Sequence, residues 1–161
     1  MFYFAYGMTL DPDEMRRLCP GSTAIGLAAL HERRLMFPQH STRWNGGLAG
    51  LGHAHGEIVW GALHGVSEED LAALDTAEGW RGPADQHNLS DRELVTVELT
   101  RPDDGSVPRR VRAWTHVPRT SNPSPPSRRY LEALIKGARH HRLPEEYVVK
   151  LGAIEAGSSD P

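Results

Sequence analysis

The sharpest constraint on the fold is a change of pattern at residue 67. The run from Glu57 to His64 is rich in strand-forming side chains. It is followed by Ser67-Glu68-Glu69-Asp70, a capping box in which the side chains at the first and last positions can each cap the other's backbone amide. A strand followed almost at once by a capped helix is therefore predicted here.

The predicted helix carries an acidic residue near its end. Leu71, Leu74 and then Ala77 or Glu78 fall on one helical face, and Gly79 supplies a C-terminal stop. Glu78 thus lies on or beside the buried stripe, close to the negative end of the helix dipole and to apolar neighbours. Both surroundings raise the pKa of a carboxyl toward the range useful for acid and base catalysis, although most glutamates at helix ends are simply solvated.

The first twenty residues predict a strand, a glycine turn and a short helix. Met1 to Tyr6 is apolar and lacks a basic leader segment and a cleavage site, so it is interpreted as a buried strand. Asp11-Pro12 then places a capping side chain before a proline at the first helical position, and this helix is expected to run to about Cys19. The connecting Tyr6-Gly7-Met8-Thr9-Leu10 can aim backbone N–H groups into a pocket, or be only a turn.

The remaining chain alternates strand patterns with two late helices. Residues 22–37 predict one or two strands, and residues 94–99 and 111–114 predict a hairpin around Asp103-Asp104-Gly105. Residues 118–127 contain four prolines and are expected to form an extended connection or a linker. Helices are predicted after Ser127 and after Pro144.

Composition excludes several classes of protein. The chain has 161 residues, 39% hydrophobic and 24% charged, which fits one domain over residues 1–156 with a flexible tail at 157–161. The net charge of −3 gives no basic field for nucleic acid, and no apolar run is long enough to cross a membrane. The chain is therefore expected to be cytoplasmic. Its single cysteine, Cys19, cannot form an internal disulfide.

No metal or cofactor is expected from the sequence. His53 and His55 could share one face of a strand, but spacing places no third ligand, and His140 and His141 point to different sides of a helix. These histidines are better interpreted as surface residues. No phosphate-binding loop, nucleophile elbow or metalloprotease helix motif is present in the sequence either.

Taken together, the motifs resemble the gamma-glutamylcyclotransferase family of the AIG2-like superfamily. The resemblance is spread over nearly the whole chain, in order and with similar spacing. It is carried by Tyr3 to Leu10, Trp44 to Ala49, Val59-Trp60-Gly61, Leu74 to Gly79, Pro125 to Tyr130, Gly137-Ala138, Leu143 to Tyr147 and Lys150 to Glu155.

The resemblance implies both a fold and a reaction. The implied fold is α+β, a small mixed β-barrel flanked by helices. The implied reaction is a cyclisation in which the α-amine of a gamma-glutamyl group attacks its own γ-carbonyl and releases 5-oxoproline (pyroglutamate) and a free amine or amino acid. Since the nucleophile belongs to the substrate, the protein needs only to hold the substrate in a folded-back conformation and to move protons.

The resemblance also assigns residues. Glu78 matches the family's catalytic glutamate, which acts as general base and then general acid. The loop residues Tyr6, Gly7, Met8, Thr9 and Leu10 match the segment whose N–H groups hold the gamma-glutamyl unit. Tyr130 matches a tyrosine that closes the pocket. Gly46 and Gly47 match a Gly-Gly turn near the site, with a plain hairpin turn as the alternative.

Three departures from the family pattern stand out. Met8-Thr9 replaces Ser-Asn, which keeps the backbone donors and removes two polar side-chain groups. The usual tyrosine after the Glu-Gly pair is missing, with His87 or Asn88 as a candidate replacement, and Trp114 stands where a tyrosine often lies.

The expected partner is a small-molecule gamma-glutamyl substrate, and the chain is expected to be a monomer or homodimer. The substrate could belong to glutathione metabolism or, in a bacterial source suggested by the arginine-rich composition, to antibiotic biosynthesis as a gamma-glutamyl protecting group. The alternative from another class is a non-catalytic sensor that keeps the pocket. Retention of Glu78 argues against it, because binding alone needs no proton carrier.

Overall fold

The computed structural model describes residues 1–100 and 109–157. Five strands in these ranges form a closed barrel in the order β1-β3-β2-β4-β5. The strands are β1 (Phe2–Ala5), β2 (Thr23–Ser41), β3 (Gly46–Gly65), β4 (Ser90–Leu99) and β5 (Arg110–Pro118). Neighbouring strands pair antiparallel except where Tyr3 on β1 meets Trp114 on β5 in parallel, which closes the barrel. The predicted α+β barrel is confirmed.

Four α-helices flank the barrel: α1 (Pro12–Leu18), α2 (Glu68–Ala77), α3 (Arg128–His140) and α4 (Glu145–Ala153). The predicted caps are present, since Asp11 accepts from the Asp13 amide, Ser67 and Asp70 cap one another, and Ser127 accepts from the Tyr130 amide. Local sequence therefore sets where α1, α2 and α3 begin, whereas α4 has no side-chain cap. Their apolar faces pack on the barrel through three buried clusters centred on Phe4, Leu74 and Leu151.

The hairpin of β2 and β3 is longer than its sequence suggests. The two strands pair from Thr23–Gly65 to Ser41–Gly46, with bulges on the way, and residues 42–45 form the turn. The stretch from Gly46 to Gly56 has few strand-forming residues, so the sequence gives little sign of it. Long cross-strand pairing and burial compensate for this weak local preference.

The proline-rich connection at residues 119–127 explains the glycines at the start of β3. A Cβ on Gly46 would lie 2.4 Å from the Ser127 nitrogen, and one on Gly47 would lie 2.0 Å from the Ser124 oxygen. Gly47 also donates its N–H to Pro125 at 2.9 Å. The predicted Gly-Gly turn is therefore wrong: both glycines are strand residues, and they are small because another backbone packs directly on them.

Two predictions fall wholly or partly outside the described residues. The turn expected around Asp103-Asp104-Gly105 lies outside them, although β4 and β5 do pair antiparallel on either side of it. The tail predicted at residues 157–161 is described only at its first residue. In the described ranges, no helix has the length and apolar character needed to cross a membrane.

Candidate active site

A cavity of about 350 Å³ opens where β1, the end of α2, the β2–β3 turn and the start of α3 meet. This is within the usual size range for small-molecule sites. Its wall contains the side chains or backbone of Tyr3, Phe4, Tyr6, Gly7, Met8, Thr9, Gln39, His40, Ser41, Thr42, Arg43, Trp44, Leu48, Ala49, Ala77, Glu78, Leu89, His116, Pro118 and Tyr130.

Glu78 reaches the cavity because α2 ends there. The helix stops in a Schellman arrangement: Gly79 has φ of +71°, its N–H donates to Thr76, and the Trp80 N–H donates to Asp75 at 2.9 Å. A Cβ added to Gly79 would lie 2.8 Å from the Leu89 Cβ, so only glycine fits at this helix end. The turn places the Glu78 side chain on the cavity wall.

Glu78 is partly exposed, and its carboxyl is unpaired in the described residues. In the part of the chain that the structure describes, no cation or hydrogen-bond donor stabilises its charge, and burial alone raises its pKa to about 7. Burial raises the pKa of the Tyr3, Tyr6 and Tyr130 hydroxyls, and the charge of Glu78 adds to that rise. A carboxyl of this kind exchanges protons readily near neutral pH.

The predicted glycine loop forms one wall. After β1 the chain turns through a 3-10 helix at Met8–Leu10, closed by N–H bonds from Leu10 to Gly7 and from Asp11 to Met8. Within residues 1–100 and 109–157, the N–H groups of Met8 and Thr9 make no such backbone bond. The Leu10 side chain is buried beside Leu143 instead, outside the cavity lining.

Tyr130 stands against this loop. Its hydroxyl accepts the Ala49 N–H at 2.9 Å, and it would lie 3.4 Å from a Cβ on Gly7. Trp44 packs edge-on against the Tyr130 ring at 5.3 Å. Of the predicted site residues, the structure thus brings Tyr6, Gly7, Met8, Thr9, Glu78 and Tyr130 to one cavity, while Leu10, Gly46 and Gly47 lie outside its lining.

A buried polar chain of side chains, which the sequence did not reveal, runs from the cavity wall into the protein. Tyr3 contacts His116 Nδ1 at 2.9 Å, His116 Nε2 contacts Asp75 at 2.8 Å, and Arg92 donates to the other Asp75 oxygen at 2.8 Å. Arg92 is stacked between Trp80 and Trp114, 3.9 and 4.7 Å from their ring centres. The one available signal was Asp75, an acid on the apolar stripe of α2 one turn before Glu78.

Two expected polar groups are used elsewhere. Asn88 closes its own loop by accepting the Arg81 N–H at 2.6 Å and donating to Gly82 at 2.8 Å, and His87 is exposed. Leu89 occupies the cavity wall in that region, beside Gln39, which donates to the Leu89 carbonyl at 2.7 Å. Neither His87 nor Asn88 takes the place of the missing tyrosine.

Arg43 lines the cavity, and further arginines lie beside it. Arg43 donates to Glu14 at 2.6 Å and to the Met8 sulfur at 3.3 Å, and Arg17 shares the same glutamate. Arg43 and Arg129 each lie about 5 Å from the centre of the Trp44 ring. Since one glutamate balances more than one guanidinium, this rim keeps a positive charge.

Comparison with known proteins gives the family. Residues 58–151, more than half of the chain, match the model of the AIG2-like family. The chain belongs to the AIG2-like family. The resemblance predicted from the sequence motifs is thereby confirmed.

Named relatives of this AIG2-like chain are gamma-glutamylcyclotransferases. The protein from Bos taurus is 29% identical over 157 residues, which cover 95% of this chain and 78% of the relative. The protein from Mus musculus is 27% identical with the same coverage. A solved structure titled gamma-glutamyl cyclotransferase superposes with a TM-score of 0.87 at 25% identity, covering 100% of this chain and 91% of that one.

Proposed function

We propose that the protein is a gamma-glutamylcyclotransferase that converts a gamma-glutamyl compound to 5-oxoproline and a free amine or amino acid, a lyase reaction. The observation that carries the proposal is the Glu78 carboxyl, which faces the same cavity as the Tyr6–Thr9 loop and has a pKa of about 7. A pocket that only binds its ligand has no need of a proton carrier. The placement of Glu78 favours catalysis over the sensor alternative.

The proposed reaction needs few groups. The α-amine nitrogen attacks the γ-carbonyl carbon, a C–N bond closes the lactam ring, and the amide C–N bond to the leaving amine breaks. Glu78 accepts a proton from the attacking nitrogen and returns it to the leaving nitrogen, so water is not consumed. A carboxyl with a pKa near 7 serves both steps, because neither protonation state is strongly preferred.

The loop provides polar contacts for the reacting carbonyl. Met8 and Thr9 line the cavity, and their N–H groups have no backbone partners in the described chain. Gly7, just before them, has no side chain that would fill this space. Donors fixed in a backbone turn stabilise a developing oxyanion without having to reorganise. We assign these two amides to the γ-carbonyl oxygen, and the Tyr130 hydroxyl to the wall behind it.

The rim favours a leaving group that carries a carboxylate. Arg43, half exposed at the mouth, is held beside Met8 and within the positively charged cluster that includes Arg129. A guanidinium there attracts the carboxylate of a leaving amino acid and gives no such advantage to an uncharged or cationic amine. Glutathione-related gamma-glutamyl amino acids are the better candidates on this ground, and protected amines of antibiotic pathways are the second.

The test is release of 5-oxoproline, measured by mass spectrometry. The panel contains gamma-Glu-Ala, gamma-Glu-Cys, glutathione, gamma-glutamyl-lysine and gamma-glutamylated aminoglycoside-type amines. We expect turnover with the gamma-glutamyl amino acids, and a loss of at least about 100-fold in Glu78→Gln, the usual minimum for a proton-transfer group.

Glu69→Gln is the matched control, because Glu69 is an exposed glutamate on the same helix. It should keep wild-type turnover. Activity of Glu78→Gln above one hundredth of wild type would contradict the catalytic role of Glu78. Binding of panel compounds without any 5-oxoproline would favour the sensor.

A further inference from the structure

In the buried polar chain beside the cavity, the chemistry of the groups determines which one donates each hydrogen bond. Asp75 is hydrogen-bonded through both oxygens, to His116 Nε2 and to Arg92, each at 2.8 Å. Arg92 has only donors, so Asp75 must be the acceptor from it. An ionised carboxylate has no proton to give to His116 either, so Nε2 carries the hydrogen and donates to Asp75.

The state of His116 then fixes the state of Tyr3. The imidazole is buried, and burial lowers its pKa more than the Asp75 contact raises it, which keeps the ring neutral. A neutral ring protonated at Nε2 has a bare Nδ1. The Tyr3 hydroxyl, 2.9 Å from Nδ1, must therefore donate its proton to His116 and turn its oxygen lone pairs elsewhere.

The Tyr3 side chain, whose oxygen lone pairs are thus free to accept, lies in the cavity wall. Tyr3 and His116 both line the cavity, and Tyr3 is close enough to Glu78 for the charge of that carboxyl to raise the tyrosine pKa. The Thr9 side chain lowers the pKa of Tyr3, as a nearby donor does, so it can occupy at most one lone pair of the Tyr3 hydroxyl. The other is left for a donor in the cavity.

We propose that Arg92, Asp75 and His116 are positioning residues that hold the Tyr3 hydroxyl as a hydrogen-bond acceptor for the substrate's α-amine. This inference rests on the proposed function. An attacking amine keeps its lone pair toward the carbonyl carbon and needs acceptors for its N–H bonds. Tyr3 accepts one of them and Glu78 takes the proton of another, so that the nitrogen is oriented from two sides.

The tautomer of His116 is the direct measurement and does not depend on activity. 15N NMR of the imidazole in the full-length wild-type protein, assigned with His116→Gln, should show a neutral ring protonated at Nε2 at pH 7.5. A ring protonated at Nδ1, or at both nitrogens, overturns the proposal. This outcome is distinguishable from failure of the proposed function, which would appear as absent 5-oxoproline with any tautomer.

Asp75→Asn reverses the donor and acceptor roles along the hydrogen bonds that join Asp75, His116 and Tyr3. Arg92 has only donors, so the side-chain oxygen of the new asparagine stays toward Arg92 and its NH₂ group faces His116. The NH₂ group donates to Nε2, so the His116 proton moves to Nδ1. Nδ1–H then donates to the Tyr3 oxygen, and the Tyr3 O–H points into the cavity. We expect kcat/KM to fall about 10- to 100-fold, the usual cost of leaving a buried N–H without its acceptor. The fall should be mainly in kcat, since orientation matters most during attack.

A double-mutant cycle separates this role from a structural one. Tyr3→Phe should lose a similar factor, and adding Asp75→Asn to it should change kcat/KM by less than about threefold, because the hydroxyl that Asp75 orients is gone. Asp91→Asn, which alters another ion pair on the barrel, is the control and should leave kcat/KM unchanged. Equal losses from Asp75→Asn with and without the Tyr3 hydroxyl would contradict the proposal.

Discussion

Two carboxylates at the C-terminal end of α2 lie about one turn apart and have opposite surroundings. Asp75 is buried and fully occupied, by His116 on one oxygen and by Arg92 on the other. Glu78 looks into the cavity and has no charge partner in the described parts of the chain, so its pKa rises to about 7. Pairing makes Asp75 a fixed part of the scaffold, whereas the lack of a partner suits Glu78 to carry protons.

The largest expected effect comes from removing the paired acid. Asp75→Ala leaves the His116 Nε2–H and the Arg92 guanidinium without their acceptor in a buried place. We expect a loss of about 2 to 4 kcal/mol in the free energy of unfolding, since a partner left alone costs more than the pair contributes. Chemical denaturation followed by circular dichroism measures it.

Asp91→Ala is the matched control for that loss. Asp91 pairs with Arg119 at 2.7 Å, but both side chains are substantially exposed, at 49% and 35%. Solvent screens such a pair, so the variant should lose less than about 1 kcal/mol. Equal destabilisation by the two variants would show that burial of the Asp75 network adds nothing.

Removing the unpaired acid should instead increase the free energy of unfolding above neutral pH. The Glu78 pKa is raised from 4.5 to about 7, so the folded state holds the proton more tightly than the unfolded state does. The associated stability is complete below pH 4.5 and is lost as pH rises through 7. Glu78→Gln avoids this loss, and it should be more stable than wild type at pH 8 by about 1 to 3 kcal/mol.

Thermal unfolding at two pH values checks this second prediction. At pH 4.5 or below, wild type and Glu78→Gln should differ little, because the wild-type carboxyl is then protonated in the folded protein. Glu69→Gln, on the exposed face of α2, should change stability little at either pH. A Glu78→Gln protein that is less stable than wild type at pH 8 would mean that the carboxylate has a stabilising partner.

The two acids also show what local sequence can predict. The capping box at Ser67 and the stop at Gly79 are signals within a few residues, so the bounds of α2 and the place of Glu78 followed from the sequence. The contact of Asp75 with His116 joins positions 41 residues apart and depends on how β5 closes the barrel. No local pattern encodes it, and His116 had no motif of its own.

The glycines of β3 illustrate a second limit. Their place in the sequence resembled a turn near the site, whereas the structure uses Gly46 and Gly47 to let the proline-rich connection pack on the strand. Both explanations require a residue without a side chain, so residue type alone could not separate them. Leu10 is similar: its amide closes the loop turn and its side chain joins the core below the cavity.

Catalysis by Glu78 requires that its carboxyl gain and lose a proton near neutral pH. Titration of 13C-carboxyl-labelled glutamate by NMR, with Glu78→Gln to assign the signal, measures this directly. We expect a midpoint near pH 7, with kcat/KM rising through the same pH because the base must be ionised to accept a proton. A Glu78 midpoint near 4.5, with activity independent of pH between 6 and 8, would contradict it.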